Sequence, residues 1–392
     1  MKYQNGDGVP KDTSKAAEYY TQAAKRGYAP AQFNLAVMYQ SGDGIAKDPA
    51  QAVHWYAEAA EHGDQEAPSI LAMMYEMGDG IPRDTVKAAY WYRKAAERGD
   101  ADAQVSLATM YGRGDGVPQD LSLAAEWYTK AAVQGRMHAQ FNLAIMYARG
   151  EGLTKSSSMA AQWYRKAADQ DHPMAQYNLG ALYYNGDGVP RDISAAAAWF
   201  TKAATFGNAD AQNAIGLMYQ NGEGVAKDPG RAAEWFTKAA QQNHAEAQFN
   251  IATMHYFGDG VPRDLAKAAN WFRRAAEQGH RDAQFNLAIM NLKGEGVPGS
   301  LPESVQWLQK AADQGDATAQ FNLAMLYSTG RGVSKDLVKA FMWADIAAAA
   351  GEPNSPKLLA NLKNTAKPEE IAEATRKEHE WKPAIQYSWS IR

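Results

Sequence analysis

The stretch Ala31–Asp48, AQFNLAVMYQSGDGIAKD, decides the fold because versions of it return along the chain at a constant interval. Comparable stretches begin, each 36 residues after the last, at Ala67, Ala103, Ala139, Ala175, Ala211, Ala247, Ala283 and Ala319. Nine full units therefore cover residues 31–354, and residues 1–30 match the last thirty positions of another unit. A fixed period of about 20 to 50 residues is the signature of a repeat architecture.

Each unit, with its positions numbered 1 to 36, contains two helical patterns. Apolar or small residues fall at positions 1, 5, 6, 8 and 9, and glycine at position 12 ends this helix A. A second stripe at positions 22, 25, 26, 29 and 30, ended by glycine at position 33, forms helix B. Neither stripe is buried within one unit, but stacked copies bury both. The sequence therefore predicts an all-α fold, a right-handed superhelical solenoid of helix-turn-helix repeats.

Tryptophan occupies position 25 of every full unit. An indole ring repeated at a fixed interval is compatible either with a binding site for a cofactor or cation, or with simple packing between helices. Because the position lies on an apolar helix stripe, packing is the expected role, with small residues at positions 6 and 22 around the rings. The series is Trp55, Trp91, Trp127, Trp163, Trp199, Trp235, Trp271, Trp307 and Trp343.

The glycine-rich loop after helix A, Gly42-Asp43-Gly44 in the first full unit, resembles a phosphate or metal loop at first sight. A phosphate loop needs a Lys-Ser/Thr pair, and calcium needs several converging oxygens with a bidentate Glu; neither pattern is present. A structural turn is favoured, in which glycine ends helix A and the acid at position 18, such as Asp48, caps helix B. Ser156 and Ser300 replace that acid in two units, and Ser300 with Glu303 predicts a capping box.

The 36-residue pattern A-x-x-x-L-(A/G)-x-x-Y-x-x-G-x-G-V-x-x-D-x-x-x-A-x-x-W-x-x-K-A-A-x-x-G closely resembles the Sel-1-like repeat (SLR) family, relatives of tetratricopeptide repeats. The resemblance covers nearly the whole chain, and its copies agree in spacing. It implies a superhelical scaffold that binds other proteins, often in bacterial envelopes, secretion systems or signalling complexes. A more specific role that it permits is that of an immunity protein neutralising a secreted toxic effector enzyme.

Composition narrows the classes of partner. The 392 residues carry a net charge of -4, so the broad basic surface typical of nucleic-acid binding is missing. No cysteine is present, and no segment reaches the roughly 18 apolar residues of a membrane span. A signal peptide is not visible. Because the chain starts inside a repeat, we expect that an upstream export signal or lipid anchor was removed, and we expect a periplasmic location, with the cytoplasm as the alternative.

Motifs for chemistry are absent from the sequence. The eight histidines form no His-x-x-x-His pair, and no Gly-x-Ser-x-Gly elbow occurs. We therefore expect no catalytic residues, no metal and no cofactor. The rival interpretation is a hydrolase acting on a cell-wall substrate, whose serine, histidine and acid come together from distant repeats. It predicts a pocket of convergent histidine and acid side chains.

The face of helix A opposite its buried stripe, at positions 3, 7, 10 and 11, is the predicted concave, partner-binding surface by analogy with tetratricopeptide repeats. Position 3 is aromatic in six units, at Phe33, Phe141, Tyr177, Phe249, Phe285 and Phe321. Two interpretations are open: the rings are partly buried against neighbouring helices, or they line a groove that holds a peptide or protein domain.

Variation at positions 9 to 11 adds further candidates for partner binding. Positions 10 and 11 contribute Arg113, Arg149, Tyr184, Tyr256, Phe257 and Lys293. Position 9, otherwise tyrosine, becomes His255 and Asn291 in two consecutive units. We hypothesise that units six to eight, roughly residues 211–318, form the hot-spot region. The alternative is that His255 and Asn291 only hydrogen-bond across adjacent repeats.

After Asn354 the period lapses. The sequence predicts a repeat domain over residues 1–354, and over residues 355–392 a C-terminal helical cap with an extended tail. Residues 356–363 and a segment starting at Pro368 are predicted to be helical. Further on, Ile385, Tyr387, Trp389 and Ile391 alternate with polar residues, as in a strand. This tail either lies against the cap or groove, or adds to a partner's sheet.

Overall fold

The computed structural model describes residues 2–6, 8 and 10–383. These residues are all-helical, with helices A and B paired in units of about 36 residues, as predicted for an α/α solenoid. Their helices are α1 (Lys2–Asn5), α2 (Thr13–Ala24), α3 (Ala29–Ser41), α4 (Pro49–Glu61), α5 (Ala67–Met77), α6 (Thr85–Glu97), α7 (Ala101–Arg113), α8 (Leu121–Val133), α9 (Met137–Arg149), α10 (Ser157–Ala168), α11 (Pro173–Asn185), α12 (Ile193–Thr205), α13 (Ala209–Asn221), α14 (Pro229–Gln241), α15 (Ala245–Phe257), α16 (Leu265–Glu277), α17 (Arg281–Lys293), α18 (Leu301–Asp313), α19 (Ala317–Thr329), α20 (Leu337–Ala349), α21 (Ser355–Lys363) and α22 (Pro368–Glu380).

Helix A ends where the sequence predicts. In α7 the chain leaves the helix at Gly114, whose φ of 78° lies in the left-handed region and whose N–H donates to the Met110 carbonyl. Glycine adopts this conformation without the steric penalty that a Cβ brings. The same left-handed glycine follows each of the other helices A of the full units.

Helix B begins at a side-chain cap in all ten repeats. Asp120 Oδ1, for example, accepts the N–H groups of Ser122 and Leu123, both at 2.9 Å. The caps are Asp12, Asp48, Asp84, Asp120, Ser156, Asp192, Asp228, Asp264, Ser300 and Asp336. The prediction that the recurring acid is a helix cap, and that serine replaces it in the same role, is confirmed.

The predicted capping box at Ser300 is only half correct. Ser300 Oγ accepts the Glu303 N–H at 3.3 Å, as in a box. The Glu303 carboxylate does not return to Ser300, because it accepts from Arg273 at 2.6 Å, and the Ser300 N–H instead donates to the Asn291 carbonyl at 3.0 Å. That carbonyl occupies position 9, and the corresponding bond from position 18 closes the loop in every repeat.

The second glycine of the loop has a role that the sequence did not show. Gly116, with φ of 70°, lies against the start of the preceding helix B, and a Cβ added there would overlap the carbonyl of Thr85. The equivalent glycines of the other full units meet the first residues of the preceding helix B in the same way. The loop therefore ends helix A and also sets the distance of closest approach between repeats.

The core is built from both helices, but the tryptophans are less buried than expected. Position 26 lies at its centre, with Tyr56 and Phe200 each 1% exposed. Position 25 lies at the edge of the buried arc of helix B, about 100° from position 26, so most of its rings keep one face toward solvent. Trp163, Trp199, Trp307 and Trp343 are buried, whereas Trp55, Trp91, Trp127, Trp235 and Trp271 are half-buried. In six repeats the basic residue at position 28 stacks on the indole, as Lys130 does on Trp127 at 4.0 Å.

The chain divides into two compact units, Met1–Leu182 with Gly186–Pro190, and Tyr183–Asn185 with Arg191–Arg392. Within each unit, helices adjacent in sequence pack against one another. The segments expected to be helical after residue 354 are α21 and α22. The alternating segment from Ile385 to Ile391 lies outside the described residues, and the proposed division at residue 354 stays a prediction.

Candidate partner-binding face

The open face of helix A consists of positions 36, 3, 4, 7 and 11, which fall within one arc of the helix. In α17 these are Asp282, Phe285, Asn286, Ile289 and Lys293, none of which is buried. Positions 1, 2, 5, 6 and 8 of the same helix are buried. The face of helix A on which the repeats differ in sequence is therefore the side that is not buried.

The aromatic row at position 3 is half-buried rather than freely exposed. Phe141 stacks on His172 with ring centroids 4.2 Å apart and packs at an angle against Tyr164 at 5.9 Å. Phe249 repeats this arrangement with His280 at 4.6 Å and Phe272 at 5.7 Å. Phe33, Tyr177, Phe285 and Phe321 are also half-buried. The aromatic rings at position 3 are thus partly buried in the free protein. A groove in which their remaining surface binds a partner stays a prediction.

Three histidines serve as caps of helix A, a role that sequence reasoning missed. The Nδ1 atoms of His172, His244 and His280 accept backbone N–H groups at 3.2, 3.1 and 3.2 Å. They stand at position 34, where Asp100 and Asn208 cap other repeats with carboxylate or amide oxygens. Histidine therefore replaces known capping residues at one position of the repeat. This replacement was the signal in the sequence from which the cap could have been predicted.

Two of these histidines, His244 and His280, form pairs with acids, but in a way that leaves neither as a free base. The Nε2 atom of His244 lies 3.2 Å from Asp210, and that of His280 lies 3.1 Å from Glu246. Because Nδ1 accepts a backbone N–H, Nε2 carries the proton and donates to the carboxylate. The hydrogen bond from His244 lowers the pKa of Asp210. Both imidazole nitrogens are thus engaged in structural contacts.

His172 has a different surrounding from the other two. Burial lowers the pKa of His172, and the neighbouring His138, with ring centroids 5.7 Å apart, lowers it further. The neutral form that the cap requires is therefore favoured in the folded protein.

Tyr184 and Tyr256, two predicted binding residues at position 10, connect successive repeats. Their hydroxyls donate to Glu223 at 2.8 Å and to Glu295 at 2.9 Å, each in the loop of the following repeat. These hydrogen bonds raise the pKa of each tyrosine. Lys293 Nζ lies 4.0 Å from the same Glu295, so the structure brings Tyr256 and Lys293 together.

The alternative interpretation, in which His255 and Asn291 hydrogen-bond across adjacent repeats, is wrong. His255 Nδ1 lies 3.4 Å from the Pro262 carbonyl in its own loop, and Asn291 Nδ2 donates to Leu287 at 3.0 Å in its own helix. Both side chains are shorter than the tyrosine they replace. A tyrosine at this position does reach its neighbour, as Tyr111 accepts a hydrogen bond from Arg93 of the preceding helix B.

The remaining candidates lie at the exposed end of helix A. Phe257 is 71% exposed, and Tyr256 packs edge-on against its ring at 5.0 Å. Arg113 and Arg149 are exposed in the first compact unit, where Arg149 lies 3.5 Å from Glu151. Tyr256, Phe257 and Lys293 are therefore the predicted residues that the structure groups most closely, and their role in partner binding stays a prediction.

Among the described residues, no helix combines the length and apolar character needed to cross a bilayer. In the same part of the chain, no group of three or more His, Asp or Glu side chains is placed to hold a metal ion.

Comparison with known proteins agrees with this architecture. The Sel1 repeat family matches residues 3–28, 29–64, 69–100, 101–135, 138–172, 173–208, 209–244, 245–280, 281–316 and 317–352. No curated protein sequence matches the chain.

Two solved structures align with most of the chain. A protective antigen of uropathogenic Escherichia coli strains, described as displaying an SLR fold, is 32% identical, with 97% of this chain and 89% of that chain covered and a TM-score of 0.63. A Sel1 repeat protein from Oxalobacter formigenes is 34% identical, with 79% and 89% covered and a TM-score of 0.63. An immunity protein from Pseudomonas aeruginosa is 26% identical, with 54% and 78% covered and a TM-score of 0.32. On its ten matched repeats and their helix pairs, this chain belongs to the Sel1 repeat family.

Proposed function

We propose that the protein is a non-enzymatic interaction scaffold that holds a protein or peptide partner on the open face of its helices A, the predicted concave face. The observation that carries the proposal is the partly exposed aromatic surface of that face in the second compact unit. Phe249, Phe285 and Phe321 recur there on successive helices A with partly accessible rings, and Phe257 is 71% exposed. Accessible aromatic rings rimmed by polar groups are typical anchors of protein interfaces.

The rival hydrolase needs a histidine that takes up a proton during reaction. The histidines that meet acids on the open face, His244 and His280, use Nδ1 to cap a helix and Nε2 to bind a carboxylate. This arrangement supports a structural role for them. Sel1 repeat proteins are mostly non-catalytic, which favours the scaffold over the enzyme.

The proposal is tested by affinity capture from the cells that produce the protein, followed by mass spectrometry. The full chain is compared with a triple variant, Tyr256→Ala, Phe257→Ala and Lys293→Ala, which removes the group that the structure brings together. We expect the triple variant to lose the captured partner but to keep its helical circular dichroism spectrum. Loss of the hydrogen bond from Tyr256 to Glu295 should lower its free energy of unfolding by only about 1 kcal/mol.

Met77→Ala is the matched control, since Met77 is 72% exposed at the same position 11 as Phe257. The control should capture the partner as the wild type does. Equal capture by the triple variant would contradict the assignment of the partner to this part of the face.

A narrower form of the proposal is an immunity protein that neutralises a secreted toxic enzyme. A tight one-to-one complex in which the captured partner loses its enzymatic activity would favour this form. Several partners in one assembly would instead favour a general adaptor in envelope, secretion or signalling complexes. The periplasm is our proposed location for either form, and cell fractionation tests it directly: recovery of the protein with cytoplasmic markers would reject it.

A further inference from the structure

Two neighbouring helices A of the second compact unit present the same three side-chain types side by side. On α15 these are Glu246, Phe249 and Asn250, and on α17 they are Asp282, Phe285 and Asn286. Each set occupies positions 36, 3 and 4, which adjoin on one face of a helix. We call these six residues the α15–α17 strip. All six are half-buried, so each keeps surface available to a partner.

The asparagines of the strip lack a neighbouring tyrosine hydroxyl that Asn142 and Asn178 have in the first compact unit. Those two asparagines, at position 4, face Tyr128 and Tyr164 at position 26 of the preceding repeat, where burial raises the tyrosine pKa and the asparagine acts against that shift. In the second unit, position 26 before each asparagine of the strip is phenylalanine, Phe236 or Phe272, which has no hydroxyl. The residue at position 26 therefore offers the amides of Asn250 and Asn286 no hydroxyl partner.

The amides of Asn250 and Asn286 use only part of their hydrogen-bonding capacity. Asn250 Nδ2 donates to Asn213 at 3.0 Å, and Asn286 Nδ2 donates to the Asp282 carbonyl of its own helix at 2.7 Å. Within the described residues, the Oδ1 atom of each has no protein donor. Each asparagine thus offers one acceptor and one remaining N–H, the pair of groups that a peptide backbone complements.

The negative charge of the strip favours a partner with basic side chains. The Glu246 and Asp282 carboxylates are 40% and 48% exposed, and on the preceding helix A Asp210 adds a third acid, 53% exposed. Glu246 accepts a hydrogen bond from His280, and Asp282 pairs with the exposed Arg281 at 2.9 Å. A solvent-exposed ion pair of this kind contributes little and exchanges readily. The strip is therefore complementary to a basic segment.

The spacing of the helices sets the spacing of the basic residues. His280 at the start of α17 stacks on Phe249 of α15, so the two helices adjoin. Packed helices lie about 8 to 10 Å apart, and one three-residue turn of an extended polyproline II chain advances about 9 Å and returns side chains to the same side. Resting on the proposed function, we propose that the α15–α17 strip binds an extended peptide segment that crosses the helices. Its Lys or Arg side chains, three residues apart, meet Glu246 and Asp282; its apolar side chains lie on Phe249 and Phe285; and its backbone pairs with the two asparagines.

The test uses the full chain and three fluorescein-labelled twelve-residue peptides, with binding followed by fluorescence anisotropy. The first is (Lys-Phe-Ser)4, the second is (Glu-Phe-Ser)4, and the third has the composition of the first but with its four lysines contiguous. The (Lys-Phe-Ser)4 peptide should bind about tenfold more tightly than either of the others, because only it places charge at the helix spacing. Equal binding of all three peptides, or no binding of the first, would overturn the proposal.

Variants of the protein distinguish binding at the strip from non-specific attraction to acidic residues. Glu246→Gln with Asp282→Asn should weaken binding of (Lys-Phe-Ser)4 about tenfold, because the amide oxygens keep accepting hydrogen bonds while the charges are lost. Asn250→Ala with Asn286→Ala should weaken all binding without altering the preference for lysine. Asp102→Asn is the matched control: Asp102 also occupies position 36, but is followed by Val105 and Ser106 at positions 3 and 4. An equal loss in this control would show non-specific attraction and reject the strip.

The outcome is distinguishable from failure of the proposed function. If a captured cellular partner binds the wild type and the Glu246→Gln, Asp282→Asn variant equally, the strip is rejected while the scaffold proposal stands. If no partner is captured at all, the scaffold proposal fails first.

Discussion

At the scale of single residues, the two kinds of glycine show how the same residue type meets different physical demands. Gly99 and Gly116 both have positive φ, 96° and 70°, but nothing lies within 4 Å of a Cβ built on Gly99. A Cβ on Gly116 would overlap the Thr85 backbone of the preceding helix B.

We therefore expect Gly99→Ala to lower the free energy of unfolding by about 1 kcal/mol, the conformational penalty alone. Gly116→Ala should lower it by a further 1 to 3 kcal/mol or so, because the repeats must move apart. Urea denaturation of both variants measures the difference. Equal losses would mean that Gly116 is retained for its φ angle only.

A second residue-scale prediction concerns pH and the His172 cap. The pKa of His172 is lowered in the folded protein, so on acidification the unfolded state takes up a proton near pH 6.5 before the folded state does. The stability linked to this group is complete above that pH and is lost as the pH falls through the lower, folded pKa.

His172→Asn keeps a side-chain acceptor at the cap, as Asn208 does in the next repeat, but does not titrate. At pH 7.5 the variant should be less stable than the wild type by about 1 kcal/mol, because the ring that stacks on Phe141 is removed. Between pH 7.5 and 5 it should lose less stability than the wild type, as measured by urea denaturation across that range. A parallel decline in both proteins would exclude the His172 cap as a source of the pH dependence.

At the scale of helices and their junctions, buried glutamines join the end of one helix to the start of the next. Gln284, at position 2, donates to the Ala276 carbonyl at 3.0 Å and accepts from Gln314, at position 32, at 2.8 Å. In the last full repeat, position 32 is Ala350, and the buried Gln320 Oε1 has no partner within the described residues. The sequence contains this pairing, but the pairing becomes visible only when the two positions are seen in contact.

Ala350→Gln should raise the free energy of unfolding by about 1 kcal/mol, because it supplies the missing donor to Gln320. Conversely, Gln314→Ala should lower it by about 1 to 3 kcal/mol, since it leaves Gln284 Oε1 buried and unpaired. Thermal or urea unfolding gives both values. Ala349→Gln, at an exposed neighbouring position, is the control and should change little; an equal gain there would point to helix propensity instead of the hydrogen bond.

At the scale of the whole molecule, each repeat is stabilised mainly by the repeats before and after it. Removal of residues 211–246, one complete period, restores the same helix B to helix A contacts in register. We expect this deletion to give a protein with unchanged helicity per residue and cooperative unfolding, as measured by circular dichroism. Removal of residues 211–228 leaves α14 without its helix A and should lose both properties, and cooperative folding of that shorter deletion would contradict a repeat-based architecture.

The features that could be predicted from the sequence are those that recur with the 36-residue period. The helices, their glycine ends and their Asp or Ser caps recur at fixed positions, and local rules of helix termination sufficed to predict them. The depth of burial at Trp127, the histidine cap at His172 and the contacts of Asn291 were not predictable in this way. Each depends on which atoms of a neighbouring turn or helix lie within a few ångströms, and a one-dimensional period does not contain that information.

Alone, the sequence determined that this protein is a stack of helical pairs, because ten repeats with the same stripes, glycines and caps can bury their apolar residues in only one kind of arrangement. Only the tertiary structure decided which polar groups remain for a partner. Whether an asparagine at position 4 has a neighbouring hydroxyl, as Asn142 has and Asn250 has not, depends on the preceding repeat, and whether His280 acts as a base or a cap depends on a backbone N–H at hydrogen-bonding distance. Hydrogen bonds and burial are properties of contacts in space, and function at this surface depends on those contacts.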